Sequence, residues 1–252
     1  MIELKNIKTV LDTKIVHNNI NLTINKGETK VILGGSGSGK SVLIKVINKL
    51  IIPDSGEVNI ENQNILKMKE KDFFNFRKKM SVLFQGAALF DSLSVLENVA
   101  FPLRRFTQLS EEEIIEAVYK NLGLVGLDKD IVSKYPAELS GGMAKRVGLA
   151  RAVVMNPEYI FYDEPTTGTD PLMSGIINDL IIKLKDEINA TSIVVTHDME
   201  SAFKVADNIA MIYDGNIIFD GTPEEIKESD NIHIKKFING EAEELPEKLE
   251  LL

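Results

Sequence analysis

Cysteine is absent from the 252 residues. No disulfide framework and no thiolate metal site can form, which fits a reducing compartment. Positive charge is in short supply too: 29 Lys and Arg stand against 38 Asp and Glu, a formal net charge of -9. A sequence-independent grip on nucleic acid needs a field of basic side chains to displace counterions, so nucleic acid is excluded as the default partner. Also missing is any apolar run near the roughly 18 to 20 residues that cross a bilayer. The opening Met1-Ile2-Glu3-Leu4-Lys5 carries no export signal, and the chain is expected to stay soluble on its own. Internal repeats and low-complexity stretches are lacking, and the length suffices for a substantial core in one or two domains.

What is present alternates short β-branched runs with longer helical patterns, which predicts an α/β layer architecture. Strands are expected at residues 1–7, 20–24, 29–33, 56–60, 81–84, 159–163, 192–196, 208–213 and 216–219. Asp214-Gly215 marks a hairpin between the last two, because its glycine accepts the positive φ such turns require. The early strands and this late hairpin are expected to form an antiparallel layer beside a mainly parallel core. Ser110 followed by Glu113 reads as a helix start, with Ile114, Ile115, Val118 and Leu122 along one apolar face. Thr222 and Pro223 repeat the signal. The acidic, leucine-containing residues 241–252 leave two readings open, a disordered tail or a segment that docks on a partner.

Three strings carry chemistry. Gly34-Gly35-Ser36-Gly37-Ser38-Gly39-Lys40-Ser41 follows the apolar run Lys30-Val31-Ile32-Leu33 and precedes a helical pattern, the strand-loop-helix setting of a phosphate cradle. Its glycines let successive N–H groups face phosphates, and the helix terminus adds roughly half a positive charge. Lys40 is placed to reach β- and γ-phosphates, and Ser41 to ligate Mg²⁺. Tyr159-Ile160-Phe161-Tyr162 ends in Asp163 and Glu164, as a buried strand would to deliver carboxylates to a ligand crevice. Asp163 suits a water-mediated hold on the metal; Glu164 suits polarising an attacking water. His197, after Ser192-Ile193-Val194-Val195-Thr196, and Gln85, after Val82-Leu83-Phe84, are expected at the same sheet edge. A lone histidine is more often structural; its place after a second strand of this kind favours a γ-phosphate contact.

The third string is Leu139-Ser140-Gly141-Gly142-Met143. Ser140 reads as the N-cap of a helix whose first turn offers the bare amides of Gly141 and Gly142 to an anion. A second anion site in a chain with one cradle is redundant unless its target is the γ-phosphate held by a second copy. A head-to-tail pair enclosing two nucleotides is therefore expected.

In order and spacing these strings resemble the ATP-binding subunits of ABC transporters, over nearly the whole chain. The resemblance implies a P-loop NTPase fold: a RecA-like core with a mainly parallel sheet, an antiparallel β subdomain and a helical subdomain at about 91–155, all within an ATP-binding domain spanning 1–240. It implies ATP and Mg²⁺ as cofactors, with Ser41, Gln85 and Asp163 facing the metal, Gly34 to Ser41 the Walker A loop, Asp163 and Glu164 the Walker B pair, and His197 the switch histidine. It also implies integral membrane permeases as partners, contacted by the helical subdomain, and a peripheral location on the cytoplasmic side of a bacterial inner membrane.

Within the family, Phe84 to Arg104 is similar to the segment after the Q-loop in Mla-type, Mce-associated ATPases, which power phospholipid movement between bacterial membranes. Met143, where many solute importers carry glutamine, and Ile234 to Gly240 agree. An Mce-type lipid-binding protein is then a further expected partner. Import of amino acids or another small solute is the second reading. A non-transport ATPase acting on DNA or the ribosome is the third; such proteins usually carry paired ATPase modules or a long coiled coil, and neither is visible. Three positions depart from the family's pattern: Leu11 stands about where an adenine-stacking aromatic is common, Thr169 replaces a usual leucine ahead of Asp170, and Gly86-Ala87-Ala88 is not the commonest form of its segment.

Overall fold

A computed structural model describes residues 1–241. The expectation for the tail falls, beyond Glu241, outside the described residues. Along the chain, β1 (Ile2–Leu11) and β2 (Lys14–Ile24) form a hairpin, β3 (Thr29–Leu33) leads to α1 (Lys40–Ile47), and β4 (Ser55–Ile60), β5 (Gln63–Asn64) and α2 (Glu70–Arg77) precede β6 (Met80–Leu83). Next come α3 (Val95–Phe106), α4 (Glu111–Leu124), α5 (Gly141–Val153), β7 (Tyr159–Asp163), α6 (Pro171–Ile188), β8 (Thr191–Thr196) and α7 (Met199–Val205). The hairpin of β9 (Asn208–Tyr213) and β10 (Asn216–Gly221), then α8 (Pro223–Lys227) and α9 (Ile232–Ile238), complete the described chain.

Two sheets result: an antiparallel one in the order β2-β1-β4-β5, and a six-stranded one in the order β10-β9-β3-β8-β7-β6. In the second, β9, β3, β8, β7 and β6 are parallel and only β10 runs against its neighbour. The central strands read as unbroken apolar runs because both sheet faces are buried. Val31, Leu33, Ile160, Tyr162 and Val194 face one core, shared with α3 to α7. Ile32, Phe161, Ile193 and Val195 face the other, shared with α1, α2 and the antiparallel sheet.

The late hairpin corrects one expectation. β9 joins the parallel sheet beside β3 instead of the antiparallel layer, since its residues alternate between the cores: Ile209 and Met211 on one side, Ala210 and Ile212 on the other. The helix starts stand as expected. Ser110 Oγ accepts from Glu113 N while the Glu113 carboxylate accepts from Ser110 N, and Thr222 and Glu225 do the same at the start of α8, where Pro223 is the first helical residue.

Register places the chemistry. Leu33 lies opposite Thr196, Asp163 opposite Val195, and Leu83 opposite Tyr162. The carboxyl ends of β3, β8, β7 and β6 are therefore level, and the residues that follow each strand emerge along one edge.

Candidate active site

At that edge a cavity of about 460 Å³ is lined by residues 36–42 together with Val16, Gln85, Glu164, Thr167 and His197. Its floor is the start of α1. The N-cap is Gly39, without a side-chain cap, so the first amides of the helix remain available to an anion. Lys40 Nζ donates to Gly34 O at 2.8 Å and Gly35 O at 3.0 Å, and lies 3.4 Å from Glu164 Oε1. Burial holds the Lys40 ammonium below its ordinary pKa, while the charges of Glu164 and Asp163 pull it back up.

Ser41 Oγ donates to Asp163 Oδ1 at 2.6 Å. Hard oxygen donors thus meet at one point, with Gln85 on the same cavity wall. Such a set suits Mg²⁺, which takes one or two protein oxygens and completes its shell with water and phosphate.

Glu164 sits at φ 49, in the left-handed region that non-glycine residues rarely adopt. Its N–H still bonds Val195 O at 2.9 Å, so the ladder holds one residue past β7 before the chain bends and carries the carboxylate over the cradle. Oε2 accepts from His197 Nδ1 at 2.9 Å and from Thr167 Oγ1 at 3.0 Å. The two oxygens are therefore unequal: Oε2 is held by fixed donors, while among the described residues Oε1 has only the Lys40 ammonium beside it.

Of the residues singled out in the sequence, Ser36 to Ser41, Gln85, Glu164 and His197 line one cavity, and Asp163, Gly34 and Gly35 join it through hydrogen bonds. Ser140, Gly141 and Gly142 do not line it. They start α5 on the surface, where Ser140 Oγ accepts from Met143 N at 3.2 Å and Ser140 and Gly141 are exposed. A β-carbon on Gly142 would come within 2.5 Å of Met173 Cε, so any side chain there would have to displace the Met173 thioether. Leu11 lines neither this cavity nor the neighbouring one, and among the described residues no Phe or Tyr stands in this cavity's lining.

Sequence reasoning missed Thr167 and Lys145. Lys145 is buried on α5 and donates to Pro165 O at 2.7 Å and Thr167 O at 2.6 Å, tying this helix to the strip after Glu164. Burial lowers its pKa, with the Glu164 charge opposing. Its one signal was a cation inside a stretch read as an apolar helix. Beyond it, Thr169 Oγ1 donates to Thr166 O at 2.6 Å and lies 2.8 Å from Ser174 Oγ, while Asp170 caps α6 through Met173 N.

Residues 17–167 match the family described as ABC transporter. The chain is 40% identical over 243 residues, 96% of its length and 92% of the relative's, to the intermembrane phospholipid transport system ATP-binding protein MlaF of Haemophilus influenzae. It is 38% identical over 239 residues to the probable ribonucleotide transport ATP-binding protein mkl of Mycobacterium tuberculosis, covering 95% of this chain and 66% of that one. A solved dimeric post-hydrolysis state of an ATP-binding cassette bound to ADP and Pi superposes with a TM-score of 0.82 at 33% identity, over 88% of this chain and 99% of that one.

Proposed function

Because the chain belongs to the ABC transporter family and has that family's ATPase fold, we propose that it is the ATP-hydrolysing subunit of a phospholipid transporter of the Mla/Mce type, working as a head-to-tail dimer beneath membrane permeases. The observation that carries the catalytic half is the inequality of the Glu164 oxygens. With Oε2 fixed by His197 and Thr167, Oε1 is the oxygen free to polarise water once Lys40 turns to a phosphate. Lys40 now donates to two neutral carbonyls, and a triphosphate offers it charge-assisted bonds about twice as strong. Mg²⁺, held by Ser41 and Asp163 with Gln85 nearby, would neutralise charge on the β- and γ-phosphates. The amides of residues 36–41 would orient the phosphate chain. With Nδ1 of His197 held against Glu164 Oε2, Nε2 is the ring atom left to face the γ-phosphate.

The second half of the site would come from another copy. Ser140 to Gly142 present an exposed helix N-terminus that this chain's own cavity does not use, and the similar solved cassette is a dimer. Coupling to permeases is supported by an apolar groove of about 520 Å³ beside Gln85, lined by Met80, Phe84, Phe90, Phe101, Pro102 and Phe106 among others. Phe84, Phe90 and Phe101 are each more than a third exposed, a cluster that suits a cytoplasmic segment of a membrane partner. Among the described residues no helix is long and apolar enough to cross a membrane. Attachment to the cytoplasmic face of the inner membrane would then run through this groove, with an Mce-type lipid-binding protein as a further member of the complex.

The name of the mycobacterial relative points to ribonucleotides and that of the Haemophilus relative to phospholipids, so the test reads both. Pull-down of the tagged chain from its own membranes, with mass spectrometry of proteins and small molecules, should recover permeases together with phospholipid. Phe101→Glu should cut that recovery at least tenfold and leave basal ATP hydrolysis in place. Recovery of permeases with nucleotides or amino acids and no lipid would replace the lipid reading.

A further inference from the structure

His17 is a buried histidine that the proposed chemistry leaves unused. It is 0% exposed, and its two ring nitrogens have different neighbours. Nε2 lies 3.1 Å from the carbonyl oxygen of Gly39, and Nδ1 lies 3.0 Å from Thr9 Oγ1. A carbonyl only accepts, so Nε2 carries the proton, and Nδ1 then accepts from the Thr9 hydroxyl. One neutral tautomer satisfies both. Burial lowers the imidazole pKa from its ordinary value, with the bond to Gly39 pulling the other way.

The partner of that bond is the N-cap residue of α1. Gly39 stands at φ +100, and a β-carbon there would approach Val16 Cγ1 to 2.8 Å and His17 Nε2 to 2.9 Å. The imidazole and the Val16 side chain therefore rest directly on the last glycine of the cradle. Gly39 O also accepts from Leu43 N at 2.9 Å, so two donors pin this one oxygen. The peptide joining Gly39 to Lys40 is planar and trans; fixing its C=O on one side aims its N–H to the other. That N–H is the first of α1 and belongs to the cavity floor.

We infer that His17, steadied by Thr9, is a positioning residue for the phosphate cradle: it sets the Gly39–Lys40 peptide and makes nucleotide affinity depend on the docking of β1 and β2 against the loop. The inference rests on the nucleotide-binding role of that loop. His17 does not line the cavity. It acts through the backbone, so its removal should weaken binding of ATP and ADP alike and spare the hydrolytic step.

The test uses the full chain. Long-range ¹H–¹⁵N spectra of its three histidines should show His17 as the Nε2–H tautomer; an Nδ1–H tautomer overturns the inference. His17→Leu removes the donor, whereas His17→Gln carries an amide nitrogen about where Nε2 stands. The leucine variant should raise the KM for ATP and the Kd for ADP about 3- to 10-fold, the span of one neutral hydrogen bond, with kcat within about twofold. The glutamine variant should stay within about twofold of the parent in all three. Equal behaviour of the two variants, or a fall in kcat at unchanged KM, overturns it. Should the leucine variant fail to fold, the tautomer of the parent decides. A parent that hydrolyses no ATP would strike the ATPase reading instead, and leaves the tautomer and ADP measurements intact.

Discussion

Glu164→Gln is expected to lower ATP turnover by about 10² to 10⁴, the usual worth of a positioned general base, while ATP affinity stays within about threefold. The amide oxygen can still accept from His197 and Thr167 as Oε2 does, so the side chain keeps its place. What changes is the other end, where an NH₂ group replaces the oxygen next to Lys40 and cannot take a proton from water. Lys40 keeps its bonds to Gly34 O and Gly35 O and remains free to exchange them for phosphate oxygens. Single-turnover hydrolysis with phosphate detection separates this loss from product release. A fall of less than about tenfold would mean that another group activates the water.

Arg151→Ala is expected to remove about 2–4 kcal/mol of stability, from two hydrogen bonds to a charged donor. For a chain of this size that corresponds to roughly 5–15 °C in Tm. Arg151 lies on α5 and donates to Ala88 O at 2.9 Å and Ala87 O at 2.6 Å, with its guanidinium 5.7 Å from the Phe90 ring. No ion pair of Arg151 is found among the described residues, and burial pushes its pKa down. The carbonyls it holds belong to two successive left-handed alanines, Ala87 at φ 60 and Ala88 at φ 47, each strained by about 1–2 kcal/mol. A β-carbon on Gly148 would stand 3.0 Å from Ala87 Cβ, so this stretch presses directly on α5. Gln85 enters it two residues earlier. Without the clamp the strained stretch should relax and displace Gln85, lowering turnover at least tenfold. Ala88→Gly in the Arg151→Ala background should restore about 1 kcal/mol by removing strain, and differential scanning calorimetry of the parent, the single variant and the double variant reads both effects. An unchanged Tm and unchanged turnover in Arg151→Ala would remove the clamp from the account.

The cradle, the acidic pair and the histidine were legible because each is local: a glycine-rich turn between strand and helix, and apolar runs that end in polar residues. The α5 start was legible for the same reason, since a serine cap and two glycines are read within five positions. What stayed hidden depends on contacts across the fold. His17 lies outside the expected strand, and inward alternation of Ile20, Leu22 and Ile24 would turn residue 17 outward. An extra residue in β2 near Asn19, at φ 66, shifts the register so that Thr9 faces His17 while Ile7 faces Ile20, and the imidazole turns in. The β9 and β10 hairpin was read correctly as a hairpin, but its sheet is decided by burial of both faces of β9, which a short apolar run alone does not distinguish from burial of one. Lys145 and Arg151 find their acceptors among carbonyls far along the chain, and a carbonyl leaves no mark in sequence.

In the proposed dimer, nucleotide is enclosed between two copies, each giving its Ser140 to Gly142 helix tip to the phosphates on the other's Lys40. The most direct measurement is the mass in solution of the Glu164→Gln chain with and without Mg²⁺ and ATP, by light scattering at micromolar concentration. The expected result is a shift from the 28.0 kDa monomer to twice that mass, dependent on ATP and abolished by adding Gly141→Glu. A species that binds Mg²⁺ and ATP with full occupancy and stays at the monomer mass would contradict it.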